Sequence, residues 1–163
     1  LEPMEKDIMK RKPRDSKKGI FADGLWGKII IEGSMLGILT LVAFYLGNSL
    51  YGLEVGRTMA FVSLGMLELV HCFNIKSEES IFKVGILENK YLLIAFLLGT
   101  ILQVGVVCIP ILANAFKLVP LNGIQWIYTA LISISPIFII ELQKRFNEVK
   151  FEKTVYRVEE KSY

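Results

Sequence analysis

Apolar residues are gathered into four long runs along this chain, and most polar residues lie in the segments between them. A helix needs about 20 predominantly apolar residues to cross a hydrocarbon core roughly 30 Å thick. The four runs predict transmembrane helices at about 29–46, 58–75, 91–116 and 124–140. We therefore expect an all-α integral membrane four-helix bundle over residues 28–141, between a basic segment (1–27) and a tail (142–163).

The composition supports a membrane protein. Hydrophobic residues make up 53% of the chain, against roughly 45–50% in ordinary soluble domains. The formal net charge is only +3, which is too small for the basic footprint of a nucleic-acid-binding protein. We expect a multi-pass protein in a lipid bilayer, with no nucleic-acid partner.

The distribution of basic residues predicts the orientation of the bundle. Of the 19 Lys and Arg, 8 lie in residues 1–28, 3 in residues 76–90 and 6 after residue 141. The remaining two loops carry only Arg57 and Lys117. Since cytoplasmic loops carry an excess of basic residues, both termini and the middle loop are expected to be cytoplasmic.

Glu68, in the middle of the second predicted span, is the main candidate for chemistry. An ionisable side chain at that depth costs roughly 2.5–3.5 kcal/mol on insertion scales, so it commonly marks an ion pathway. At about 100° per residue, Gly65, Glu68, His71 and Cys72 are expected to share one helical face. A carboxylate suits calcium or magnesium, which makes Glu68 a candidate metal ligand. The alternative is a protonated Glu68 hydrogen-bonded to a neighbouring helix.

Other polar and small residues in the spans favour structural roles. His71 is expected to make an interhelical hydrogen bond, and at most to support an ion ligand indirectly. Glu32 lies four residues after Lys28, where it can pair or reach the membrane surface. Gly33 and Gly37 have the GxxxG spacing that lets a second helix approach closely.

Two prolines are expected to affect the spans, and the chain carries no recognised catalytic motif. Pro110 and Pro136 lie inside the third and fourth predicted spans, and each is expected to kink its helix because proline lacks a backbone donor. A single histidine excludes a histidine cluster, and the chain has no phosphate-binding Gly-x-x-x-x-Gly-Lys loop. We therefore predict no catalytic residues in this chain.

Several motifs, in order, resemble P-type cation pumps. Residues 2–9 followed by 11–14 (EPMEKDIM, then RKPR) resemble the cytoplasmic loop after the sixth helix of that family. The similarity covers about residues 1–147. The other matching positions, in chain order, are Gly33 and Gly37 in the seventh helix, Thr58–Phe61, Glu68, Phe73, Asn74, Ser77, Glu78 and Ser80 in the eighth and its loop, and Gln125, Trp126, Glu141 and Lys144 in the tenth.

The resemblance implies that the chain is the C-terminal membrane region, helices seven to ten, of a type II P-type ATPase similar to calcium pumps. Glu68 then falls on an eighth-helix carboxylate that binds transported calcium, and Gly33 and Gly37 pack on the fifth helix. By the same resemblance, the other calcium ligands come from other helices of the pump. The chain has no Asp-Lys-Thr-Gly, so the domains that use ATP and magnesium are also expected in the rest of the pump. Family members are also phosphorylated by inorganic phosphate without bound calcium.

Two departures within the resemblance affect this expectation. His71 stands where the sarcoplasmic-reticulum type has asparagine, which leaves ion stoichiometry and proton countertransport open. The first outer loop, Gly47–Arg57, is short compared with sodium-potassium pumps, where it docks an accessory subunit. We therefore favour calcium as the transported ion and expect no accessory subunit. The expected partners are the lipid bilayer and the remaining helices and cytoplasmic domains of the parent pump.

Two other classes of protein fit part of the pattern. A non-catalytic four-helix membrane scaffold or regulator would also show GxxxG spacing and basic termini. A cation- or proton-coupled secondary carrier could use Glu68 and His71 as a relay. Carriers of that class often contain paired repeats, and residues 24–76 and 86–141 show no convincing similarity to each other.

Overall fold

The computed structural model describes residues 25–75 and 89–160, with side chains up to residue 145. The helices in this part of the chain are α1 (Leu25–Tyr51), α2 (Leu53–Ile75), α3 (Lys90–Cys108), α4 (Pro110–Ala115) and α5 (Gly123–Glu160). The first three, and Gly123–Arg145 of α5, are long and apolar enough to cross a membrane. The described residues contain no strand, so the prediction of an all-α protein with four spans is confirmed.

Helix α2 lies at the centre of the bundle, where it contacts α1, α3 and α5. It is also the span with the largest buried share. The outer helices carry large exposed apolar side chains, including Leu41 and Tyr45 on α1, Ile101 and Leu102 on α3, and Phe138 on α5. Lipid tails solvate such side chains well, so a membrane protein needs no apolar face turned inward to be stable.

The first two spans are joined by one residue, which corrects the predicted loop over 47–57. Helix α1 continues to Tyr51 and α2 begins at Leu53, with Gly52 between them at a φ of +95°. Glycine adopts that backbone conformation without steric cost. The Gly52 N–H donates to the Asn48 carbonyl at 3.1 Å. The predicted boundary was wrong because hydropathy falls at exposed polar residues near the helix ends while the backbone stays helical.

The third predicted span, 91–116, is divided in two. Ile109 is extended, with φ −90° and ψ 114°, and Pro110 begins the short helix α4. Proline supplies no N–H and disfavours helical geometry in the residue before it. The sequence predicted a kink within one helix at Pro110, and the structure instead shows a break between two helices there.

The last helix begins at a reciprocal cap and contains a proline. The Gln125 N–H donates to Asn122 Oδ1 at 2.9 Å, and the Asn122 N–H donates to Gln125 Oε1 at 2.8 Å. This is the capping-box pattern that satisfies free donors at a helix start. Pro136 lies inside the helix, which runs past the predicted end at 140. Helix formation continues there beyond the apolar run.

Segments 1–24 and 76–88 lie outside the described residues, as does 161–163. They include most of the predicted basic segment, and the motif positions Ser77, Glu78 and Ser80. The orientation of the bundle therefore stays a prediction.

Candidate functional site

Glu68 lies near the middle of α2 with its side chain exposed. Leu64, Cys72 and Ile75 are exposed on the same side of the helix, as expected for residues three or four apart. These four positions, which we call the outer stripe of α2, turn away from α1, α3 and α5.

Nothing in the described bundle pairs with Glu68. The ion pairs and side-chain hydrogen bonds of residues 25–75 and 89–145 leave its carboxylate without a partner. In the same residues, no group of three or more His, Cys, Asp or Glu is placed to hold a metal ion. Calcium takes six to eight oxygen ligands, so Glu68 could contribute only part of a site completed by other helices.

Gly65 lies one turn before Glu68 and leaves room for the Gln103 side chain of α3. A methyl group at Gly65 would lie 2.6–2.7 Å from the side-chain amide of Gln103 on α3. The amide nitrogen of Gln103 donates to the Phe61 carbonyl at 2.9 Å. The contact joins α2 to α3 on one side of the outer stripe.

His71 lies one turn after Glu68 and joins α2 to α1. Its Nε2 is 3.2 Å from Glu32 Oε2, and the side chains of His71 and Glu32 are 9% and 13% exposed. The other oxygen of Glu32 is 4.0 Å from Lys28 Nζ, four residues earlier on the same helix. The structure thus shows the interhelical contact expected of His71, and it gives Glu32 a partner that the sequence did not indicate.

The predicted common face of Gly65, Glu68, His71 and Cys72 is therefore wrong in part. Gly65 packs against α3, His71 contacts α1, and the other two are exposed. Six residues along a helix correspond to a separation of about 120° between Gly65 and His71 around the axis. That angle is wide enough to place them against different neighbours, on the two sides of the outer stripe.

The two GxxxG glycines make no contact within the described bundle. A methyl group at Gly33 or Gly37 would meet nothing within 4 Å. The close approach of α1 and α2 instead involves Gly47 and Gly56, where a methyl group at Gly47 would lie 2.8 Å from the Gly56 Cα. Both glycines lie in residues 47–57, which the sequence predicts as a loop; their positions on either side of Gly52 were the available signal.

Thr58 and Asn74 of α2 carried the resemblance in the sequence, but their burial was not predicted. Thr58 is fully buried, and its hydroxyl accepts a hydrogen bond from the Val119 N–H at 3.0 Å. Asn74 is 2% exposed, and its amide nitrogen and oxygen have no partner among the described residues. Threonine lowers hydropathy too little to stand out within an apolar run, and Asn74 lies near the end of the predicted span, where polar residues are expected.

Comparison with known proteins identifies the family. The model of the family described as "Cation transporting ATPase, C-terminus" matches residues 1–146. The chain is 37% identical over 162 residues to "Calcium-transporting ATPase 1" of Bacillus cereus, covering 88% of this chain and 18% of that protein. It is 32% identical over 142 residues to "Calcium-transporting ATPase" of Bacillus subtilis, covering 86% of this chain and 16% of that protein.

A third relative, "Calcium-transporting ATPase 1" of Lactococcus lactis, is 33% identical over 155 residues, covering 94% of this chain and 17% of that protein. The chain therefore spans about a sixth of the length of these curated relatives. With the family match over most of the chain and four apolar helices in the bundle, this chain belongs to the family of C-terminal membrane regions of cation-transporting P-type ATPases.

Proposed function

We propose that this chain is the C-terminal membrane region of an ATP-driven calcium pump, in which Glu68 supplies one carboxylate ligand to the transported ion. The observation that carries the proposal is the position of Glu68 on the outer stripe of α2, where it is exposed within a membrane span and has no partner among the described residues. The names of the relatives described above support calcium as the cargo.

The energetic argument favours a partner outside this bundle. An unpaired carboxylate inside a membrane costs roughly 2.5–3.5 kcal/mol on insertion scales. The three neighbouring spans provide no hydrogen bond to offset that cost. A calcium ion held by further helices of the parent pump would compensate the charge. Since calcium needs six to eight oxygens, the isolated chain is expected to bind it negligibly.

The remaining surface of the bundle supports the proposed partners. Gly33 and Gly37 are free to accept a helix backbone of the parent pump, and the large apolar side chains of α3 suit contact with lipid. We propose that both termini and residues 76–90 are cytoplasmic, where the basic residues cluster. ATP and magnesium would act in the cytoplasmic domains, and no accessory subunit is required.

The proposal is tested by replacing Glu68 with Gln in the parent pump and measuring ATP hydrolysis across a calcium titration. The substitution keeps the size of the side chain and removes the charge that opposes the ion's. We expect the calcium concentration for half-maximal activation to rise about tenfold or more, which is roughly 1.4 kcal/mol per tenfold.

Glu54→Gln is the matched control, because Glu54 is an exposed carboxylate in the first turn of the same helix. It should leave the calcium midpoint unchanged. If Glu68→Gln also left the midpoint and the maximal rate unchanged, Glu68 would be a structural carboxyl rather than an ion ligand.

A further inference from the structure

The setting of α2 around its axis determines where Glu68 points. Two contacts close to Glu68 help to hold that setting, one on each side of the outer stripe. Gly65 packs against the Gln103 side chain of α3, three residues before Glu68. His71 contacts Glu32 of α1, three residues after it. A rotation of α2 by one residue, about 100°, would turn Glu68 out of its position.

The second of these contacts brings two mostly buried ionisable groups within hydrogen-bonding distance. His71 is 7% exposed overall, and its Nε2 lies 3.2 Å from Glu32 Oε2. A hydrogen bond at this distance needs one proton between the two atoms, carried either by Nε2 or by the carboxyl group of Glu32. His71 Nδ1 has no partner among the described residues, so the contact of Nε2 with Glu32 is the one polar contact that the ring makes there.

We propose that Glu32 and His71 are positioning residues for Glu68: their hydrogen bond joins α1 to α2 and holds the outer stripe in the direction from which calcium is bound. The inference rests on the proposed role of Glu68. The sequence indicates only that Glu32 can pair with Lys28 or reach the membrane surface. The inference gives Glu32 a role in ion binding that it exerts through Glu68. Neither Glu32 nor His71 touches the ion.

The test compares leucine and conservative replacements in the parent pump. Glu32→Leu and His71→Leu each remove the hydrogen bond and should each raise the calcium concentration for half-maximal activation of ATP hydrolysis about three- to tenfold. The double variant should be no worse than either single one, because one bond is lost in every case. Glu32→Gln should behave like the unmodified pump, since its amide group can either accept a hydrogen bond from Nε2–H or donate one to Nε2.

Dependence on Glu68 separates positioning from general damage. In a Glu68→Gln background, Glu32→Leu should leave the calcium midpoint where Glu68→Gln alone puts it, because there is no longer a charge to position. Phosphorylation by inorganic phosphate without calcium should be retained in every variant. His71→Asn serves if a leucine variant does not fold; its shorter side chain should raise the midpoint about threefold.

Three results would overturn the inference. They are an unchanged midpoint in the leucine variants, multiplied effects in the double variant, and a further loss when Glu32→Leu is added to Glu68→Gln. If Glu68→Gln itself leaves the midpoint unchanged, the proposed function fails and the inference falls with it. If Glu68→Gln shifts the midpoint and the Glu32 and His71 variants do not, the positioning role alone is wrong.

Discussion

Gly47 and Gly56 lie against each other where α1 and α2 cross, so closely that neither position has room for a side chain. A methyl group at Gly56 would lie 2.8 Å from the Asn48 backbone nitrogen and 2.9 Å from the Phe44 carbonyl oxygen. These are backbone atoms, which cannot move without shifting the helix. With the single-residue turn at Gly52, this contact makes α1 and α2 a tightly packed antiparallel pair.

The first prediction is that Gly56→Ala destabilises the isolated chain. The added methyl group forces the two backbones apart, and overpacking of this kind costs about 1–3 kcal/mol. Gly33→Ala is the control, because nothing lies within 4 Å of that position; alanine should stabilise that helix by about 0.5–1 kcal/mol. The free energy of unfolding in detergent micelles measures both. Equal effects of the two changes would rule out a tight crossing at Gly56.

The second prediction concerns the exposed glycine Gly37. Gly37→Leu should have little effect on the stability of the isolated chain, since no described residue approaches that position. In the parent pump the same change should clash with the helix proposed to pack there, and reduce the yield of assembled protein. Detergent unfolding of the chain and size-exclusion yield of the pump provide the comparison. Similar damage in both would mean that the glycine serves packing within this bundle.

The third prediction is that Thr58→Val costs stability through Val119. The Thr58 hydroxyl donates to the Glu54 carbonyl at 3.0 Å and accepts from the Val119 N–H at 3.0 Å. Valine leaves that N–H without an acceptor, which costs about 1–3 kcal/mol. Thr100→Val is matched to it, because the Thr100 hydroxyl only bonds back to Phe96 of its own helix. The unfolding free energy should fall for Thr58→Val alone, and comparable losses would contradict the assigned role.

The fourth prediction links Ser135 to Pro136. Proline at 136 leaves the Ile132 carbonyl without its usual helical donor, and the Ser135 hydroxyl donates to that carbonyl at 2.7 Å. Ser135→Ala should therefore lower stability by about 0.5–1.5 kcal/mol. In a Pro136→Ala background, where the backbone N–H is restored, the same change should cost little. Additive effects in this double-mutant cycle would show that the serine does not replace the missing donor.

The sequence was sufficient to predict the fold class, because an apolar run long enough to span a membrane has to satisfy its own backbone hydrogen bonds and therefore forms a helix. It also identified Glu68, since an ionisable residue within such a run is unusual. Span ends were less predictable: Asn48 and Glu54 lower the hydropathy near Gly52 while the backbone remains helical there. Hydropathy follows solvent preference, whereas helix ends depend on backbone geometry.

The sequence predicted an interhelical contact for His71, but the partners of the residues on either side of Glu68 were beyond what it could predict. Glu32 and His71 lie 39 positions apart on different helices, and nothing in the local pattern links them. The sequence also does not show which glycines lie at the contact between α1 and α2, the Gly33–Gly37 pair or the Gly47–Gly56 pair. All four glycines lie in or beside apolar runs, where a helix contact is possible. Only the arrangement of α1 against α2 shows that Gly47 and Gly56 are the pair in contact.

The central claim, that Glu68 binds the transported ion, is tested most directly by equilibrium calcium binding to the purified parent pump. Unmodified and Glu68→Gln proteins would be titrated side by side, with phosphorylation by inorganic phosphate confirming that both are folded. We predict that Glu68→Gln binds calcium about tenfold or more weakly, at least roughly 1.4 kcal/mol, and keeps its phosphorylation. Superimposable binding curves for the two proteins would contradict the account.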